Sequence, residues 1–228
     1  MRGTMMEIIP YGSQAVLINF EQKIDLEIHR LVKGYFNAIN TFEEVIYQIP
    51  AYCSITVVFN SKSTDYEHLK SKIEKLEIEP SNNTANPQLT EIPVCYEPEY
   101  APDLVSLAQE LNLTPEEVIS LHTAETYDVY MMGFLPGFPY LGKTPKALAC
   151  KRKLTPRKQV QAGSVGLAGR QTGIYPSDAP GGWQLIGRTP LKIFDPLRKE
   201  NFLLKMGDRV QFKAISADTY LKIKQDVE

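Results

Sequence analysis

The residues of this chain whose types could do chemistry gather on glycine-rich loops in its second half. Arg157, Lys158, Gln161 and Ser164 stand in PRKQVQAGSVG; Arg170, Gln171, Thr172, Tyr175, Trp183, Gln184 and Arg188 stand in GRQTGIYPSDAPGGWQLIGRTP. Guanidinium forks bind carboxylate or phosphate oxygens two at a time, amide side chains both donate and accept, and an indole supplies a flat apolar wall. Such residues on neighbouring loops describe a concave site for a small polar ligand. A structural reading of the same residues stays open, in which Trp183, the only tryptophan, fills a barrel core and the arginines cover its ends.

Groups that could catalyse are sparser. His29, His68 and His122 show no H-x-x-x-H spacing and no nearby thiol or carboxylate ligands, so no metal site is expected. His122 closes a helical stretch just before the glycine-rich region, which makes it the candidate proton carrier; a lone histidine there also serves structure. Cys53, Cys95 and Cys150 lie outside any C-x-x-C spacing and read as idle thiols of a reducing compartment. The run AGSVGLAG, residues 162–169, matches neither the dinucleotide fingerprint nor the P-loop. Its Gly163 and Ser164 are candidates to lend backbone amides to an anionic cofactor, and Ser164 lacks the setting of a hydrolase nucleophile. Taken by itself, the chain does not read as a self-sufficient enzyme.

One segment contradicts itself as ordinary structure. GFLPGFPYLGKTP, residues 133–145, holds three glycines, three prolines and five large apolar side chains. Proline lacks an amide donor and glycine leaves a strand little to pack. The expectation is a rigid lip, neither strand nor mobile loop, that places Phe138 and Tyr140 on the wall of the site. Ten of the fourteen glycines fall between Gly133 and Gly187, which locates the special region there.

The elements that position these residues follow from hydrophobic period and punctuation. EPSNNTANPQLTE, residues 79–91, is polar and proline-bearing, and the expected division is a domain of residues 1–80, a linker of 81–91 and a domain of 92–228. The first part reads strand, strand, helix, strand, strand, helix, a small α+β sandwich with helices on one face of a sheet. Asp25 caps its first helix, and Thr64 with Glu67 forms a capping box for the second. After the linker come the strand EIPVCY and two helices, APDLVSLAQELN and TPEEVISLHTAE, the latter with Thr114, Pro115 and Glu117 as its start signal. From Tyr127 onward, YDVYMM, VQAGSVGLAG, WQLIGRTPLKIF and GDRVQFKAI are short strands with glycine corners, the pattern of a barrel or sandwich.

Bulk properties bound the function. At 228 residues the chain buries roughly 70–75% of its unfolded surface, enough to fold without a disulfide or metal staple. Net charge is −2, yet residues 92–128 carry eight acids and no base, and residues 129–177 carry eight bases and no acid. The two blocks either face each other or the solvent, or form a basic rim for an anionic ligand or acidic partner. A slightly acidic chain with no repeated basic face argues against nucleic acid. No signal peptide or membrane-length apolar run is visible, so the expected location is the cytosol, with no membrane partner.

The stretches VYMMGFLPGFPYLG, TPRKQVQAGSVGLAGRQTGIYPSDAPGGWQLIGRTP and IFDP, with YGSQAVLINF and IPAYCSITVVF in the first part, resemble the allophanate hydrolase subunit 1 family. That family includes the B-type subunit of the bacterial ATP-dependent 5-oxoprolinase and a sporulation histidine kinase inhibitor. The resemblance implies a cyclophilin-like β-barrel for the second domain, and function in a complex with a C-type, carboxyltransferase-like partner. In 5-oxoprolinase a third subunit joins, and the complex opens 5-oxoproline to glutamate with ATP. On that footing Arg157 and Arg188 would bind carboxylate or phosphate, Gln171 and Gln184 the lactam, and Phe138, Tyr140 and Trp183 would form the wall. Two alternatives accompany it: inhibition of a sensor histidine kinase, and a carboxyltransferase-like component handling biotin or a urea derivative. A cyclophilin-like fold does not by itself imply prolyl isomerase activity.

Overall fold

The computed structural model describes residues 6–78 and 88–227, of which Val227 is described in its backbone only. They form two compact units, one on either side of the undescribed stretch.

The first unit is a four-stranded antiparallel sheet of order β1-β2-β4-β3: β1 (Glu7–Pro10), β2 (Ala15–Asn19), β3 (Val45–Pro50) and β4 (Ser54–Phe59). Alternation puts Val16, Ile18, Ile55, Val57 and Phe59 on one face, where they are buried against Ile28 and Val32 of α1 (Leu26–Ile39) and Leu69 and Ile73 of α2 (Tyr66–Glu74). Each such side chain contributes roughly 1.5–3 kcal/mol of burial. Asp25 caps α1 as expected, accepting from the Glu27 amide. The second cap differs from expectation. Asp65, not Thr64, accepts from the His68 amide, so the helix starts one residue later and the Thr64–Glu67 box does not form. A carboxylate at the N-cap also gains from the helix dipole.

The second unit is a closed seven-stranded barrel of order β10-β7-β6-β13-β5-β12-β9. Its strands are β5 (Leu89–Cys95), β6 (Thr126–Met132), β7 (Pro139–Gly142), β9 (Ser164–Ala168), β10 (Gln171–Ile174), β12 (Gln184–Arg188) and β13 (Arg209–Ile215). β8 (Arg157–Val160) and β11 (Ala179–Gly181) make a separate two-stranded ribbon. Among the described residues only β13 and β5 run parallel. Helices α3 (Leu104–Leu111), α4 (Pro115–Ala124) and α5 (Ala217–Val227) complete the unit. Thr114 and Glu117 form the expected capping box at α4. The last residues expected in the linker, 89–91, open strand β5, and most of the rest of that expected linker lies outside the described residues.

The segment 133–145 is also corrected in part. Gly133–Phe138 is a tight turn, closed by the Gly133 amide on the Phe138 carbonyl at 3.1 Å, but Pro139–Gly142 is a strand paired with both β6 and β10. Proline is tolerated because it stands first in the strand, where its missing donor costs least. Gly173 of the neighbouring strand makes room for the ring beneath: a Cβ there would stand 2.9 Å from Phe138.

Candidate functional site

A cup of about 220 Å³ opens on the barrel unit beside the 133–138 turn, lined by Phe134, Tyr140, Arg152, Tyr175 and Trp183, with Pro156 and Gly182 among the wall residues. Tyr140 stands on β7 and Trp183 directly precedes β12. Phe138, almost fully buried, underpins both: its ring lies 4.8 Å from Tyr140 and meets Trp183 edge-on at 5.5 Å. Tyr175 packs against Gly181, where a Cβ would stand 2.2 Å from the tyrosine hydroxyl, so only glycine lets this wall close. Edge-to-face packing of this kind fixes ring orientation, each pair adding about 0.5–1.5 kcal/mol beyond its buried area.

The polar component of the cup is Arg152, whose guanidinium carbon lies 5.8 Å from the Trp183 ring. The loop that carries it is pinned at several points. Cys150 and Gly169 form an isolated β-bridge, the Lys153 amide donates to the Gly182 carbonyl at 2.7 Å, and Gln184 Nε2 donates to the Lys151 carbonyl at 3.2 Å. Beneath the loop, Asp103 is 2% exposed and accepts from Lys153 Nζ at 2.8 Å, Arg157 Nη2 at 2.6 Å and the Leu185 amide at 2.7 Å. Burial opposes ionisation of Asp103, but these hydrogen bonds outweigh it and hold the carboxyl below the usual range. The acidic and basic blocks of the sequence therefore do face each other, at Asp103. No carboxylate pairs with Arg152 among the described residues, although Glu110 shares an adjoining groove of about 530 Å³ with Lys151, Arg152 and Gln184.

Burial raises Tyr140 and Tyr175 above the ordinary tyrosine value, so both hydroxyls keep their protons. The cup lining holds no histidine, cysteine or carboxylate. It is equipped to bind a flat, partly polar anion and not to supply a nucleophile or a base near neutrality.

The expected site residues are dispersed. Tyr140 and Trp183 line the cup, Phe138 lies under it, and Gln184 holds the Arg152 loop. Arg157 binds Asp103 through Nη2, while its Nη1 is buried without a partner. Gln171 sits at the start of β10 between β7 and β9 and lines neither the cup, nor the adjoining groove, nor the cavity around Arg188. That last cavity is separate from the cup and is lined by Arg188 and Gly163. The Gly163 and Ser164 amides are not available to an anion, since they donate to the Tyr175 and Gln161 carbonyls and so close the turn before β9. His122 is the clearest departure from expectation. It is fully buried, its Nδ1 lies 2.8 Å from the Tyr96 hydroxyl and its Nε2 2.9 Å from Thr172 Oγ1, and it stacks on Phe212 at 4.4 Å. Burial pulls its pKa down to about 3. A neutral, sealed imidazole with both nitrogens engaged has no route for carrying a proton to the cup. Arg152 and Asp103 do not stand out in the sequence, and the separation of an acid-only from a base-only block is the one signal pointing to them; Phe134 lies in the 133–145 segment that the sequence does single out.

Residues 6–204 match the family described as the carboxyltransferase domain, subdomain C and D. The chain belongs to this family. Among relatives, the 5-oxoprolinase B subunit of Bacillus subtilis (strain 168) is 40% identical over 96% of this chain and 97% of its own length. The crystal structure of TTHA0988 aligns with a TM-score of 0.81 and 33% identity over 90% of this chain, which spans 40% of that one. The urea amidolyase of K. lactis aligns at a TM-score of 0.79 over 98% of this chain and 16% of its own; at 17% identity that likeness speaks to the carboxyltransferase-domain fold alone. No helix among the described residues is long and apolar enough to cross a membrane, and no group of three or more His, Cys, Asp or Glu among them could hold a metal ion.

Proposed function

We propose that this chain is the B-type subunit of a heteromeric ATP-dependent 5-oxoprolinase, opening 5-oxoproline to glutamate together with a C-type, carboxyltransferase-like partner and a third subunit. The observation that carries this reading is the 40% identity to the B. subtilis protein, which runs over nearly the full length of both chains. On this reading the barrel is the cyclophilin-like domain of the family, and the complex works in the cytoplasm. The cup suits the substrate: the flat lactam ring packs against Trp183 and Tyr140, the carboxylate meets Arg152, and a tyrosine hydroxyl donates to the lactam oxygen. ATP use and bond cleavage then belong to the complex, because the cup lining offers no nucleophile or general base of its own. The chain is a substrate-holding component, inactive in isolation.

The test is ATP-dependent release of glutamate from 5-oxoproline, comparing this chain alone, the two partner subunits without it, and all three together. Activity only in the full mixture is the expected result. Membership of the carboxyltransferase-domain family favours one second reading, a carboxyltransferase-like component whose cup takes the ureido ring of biotin or a urea derivative. Saturable biotin binding by the pair with its C-type partner would select it. Activity in no mixture of folded subunits would instead favour the regulatory role, inhibition of a sensor histidine kinase.

A further inference from the structure

The cavity that holds Arg188 shares no lining residue with the cup, and the lactam reading makes no use of it. It encloses about 420 Å³ beside the 161–163 turn, and helix α5 supplies Tyr220 and Lys224 to its lining. Arg188 enters from the end of β12, and Lys192 from the loop that follows. Much of the backbone here is already paired. The Ala162 amide donates to Asp178, the Gly163 amide to the Tyr175 carbonyl, the Thr189 amide to the Gly163 carbonyl, and the Leu191 amide to Thr189 Oγ1. Prominent among the remaining donors are the side-chain cations of Arg188 and Lys192.

Arg188 is the most telling of them. Its Nε is buried and meets no hydrogen-bond partner, while the guanidinium carbon lies 5.7 Å from the Tyr100 ring. Asp178, the one carboxylate in the lining, does not form an ion pair with it among the described residues. The two Asp178 oxygens instead take the Ala162 amide and Gln159 Nε2, both at 2.8 Å, and these bonds hold the carboxylate ionised. The position of Arg188 is fixed from below. Gly163 has φ +80°, and a Cβ there would stand 2.3 Å from the Thr189 carbonyl oxygen, so the turn lies directly on the end of β12.

We propose that this groove is a second small-molecule site, taking a phosphate-type dianion, free or as the ester of a small metabolite. A carboxylate presents two coplanar oxygens, which a single guanidinium satisfies. A phosphate presents further oxygens out of that plane, so the Arg188 fork can bind two while the Lys192 ammonium meets another. The site is independent of the lactam reading: failure of the glutamate assay leaves it standing, and its own failure leaves the cup untouched.

The experiment is calorimetric titration of the purified chain at low ionic strength with inorganic phosphate, glycerol 3-phosphate and succinate in parallel. Saturable binding of phosphate, the ester or both is expected, weakened at least tenfold by Arg188→Gln and several-fold by Lys192→Gln, and unchanged by Arg152→Gln in the cup. Binding of the ester alone would identify an esterified ligand, and binding of both a free-phosphate site. Lys192 is exposed, so its variant keeps the test decisive if Arg188→Gln fails to fold. No saturable binding up to about 10 mM, tighter binding of succinate than of either phosphate, or affinity indifferent to both variants would overturn the proposal.

Discussion

The sealed cluster around His122 and the open cup around Trp183 are built from the same materials. Each joins tyrosines, phenylalanine and one nitrogen-rich side chain in the same barrel unit, with ring centroids 4.4 to 6.5 Å apart. They differ in where the polar atoms end. Both imidazole nitrogens of His122 and the Tyr127 hydroxyl find partners inside the protein, the latter on the His122 carbonyl at 2.9 Å. In the cup, Arg152 leans on an indole with no carboxylate among the described residues to answer it, and Phe134 stands 60% exposed at the opening. Internal saturation makes the first cluster a structural knot. On the proposed function, an unanswered cation on an aromatic wall suits the second to receive a ligand.

The largest effect that tests this contrast is on stability. His122→Ala should cost roughly 3–5 kcal/mol, because it opens a cavity and strands both the Tyr96 and Thr172 hydroxyls. Denaturant unfolding measures it, and a loss below about 1 kcal/mol would erase the distinction between knot and receptor. The pH dependence is next. The folded value of about 3 lies below the ordinary 6.5, so the unfolded chain binds the extra proton as pH falls. The stabilisation is full above pH 6.5 and is lost towards pH 3, with a slope approaching about 1.4 kcal/mol per pH unit. His29, lowered to about 4 by burial and then by Lys33 and Arg30, adds a parallel loss between pH 6.5 and 4 in the first unit. Unfolding of the His122→Gln variant, followed over the same range, should be flatter by one proton; an unchanged slope would place the titration elsewhere.

Much of the scaffold was legible because its signals are local. The Thr114–Pro115–Glu117 start of α4, the Asp25 cap and the alternating runs of β2 and β4 need only their near neighbours. The misreadings were also local, and came from competition between adjacent residues: Asp65 outcompetes Thr64 as a cap, and Pro139 begins a strand because its nitrogen falls where no donor is required. The site was less legible because it depends on barrel closure. Arg152 sits in a Lys-Arg-Lys run that reads as solvated charge; it reaches Trp183, thirty-one positions later, because of the bridge from Cys150 to Gly169 and the bond from Lys153 to Gly182. His122 stands out in the sequence as a polar residue at the edge of an apolar, glycine-rich region, and the structure buries it there with both ring nitrogens engaged.

On the cup side of the comparison, Arg152→Gln would, on the proposed function, remove a charge-assisted hydrogen bond to the ligand and should raise the KM of the assembled complex for 5-oxoproline about tenfold to a hundredfold. Its melting transition should move by no more than an exposed substitution does, within about 0.5 kcal/mol. A stability loss matching the activity loss would turn Arg152 into a structural residue like His122.

The smallest effect is the sharpest in meaning. Phe134 has φ +67°, an unfavourable conformation for a bulky side chain, and keeps most of its ring in solvent while meeting Phe138 and Tyr175 edge-on. Holding that backbone costs on the order of 1 kcal/mol, and the two edge contacts return a similar amount. Phe134→Gly releases the strain and forfeits the contacts, so stability should stay within about 0.5 kcal/mol of the parent. Substrate affinity should nevertheless fall a few-fold, because the ring walls the mouth of the cup. A variant destabilised as strongly as His122→Ala would show that the ring supports the core. Unchanged stability with weakened binding would show a strained residue kept for its contact with the ligand.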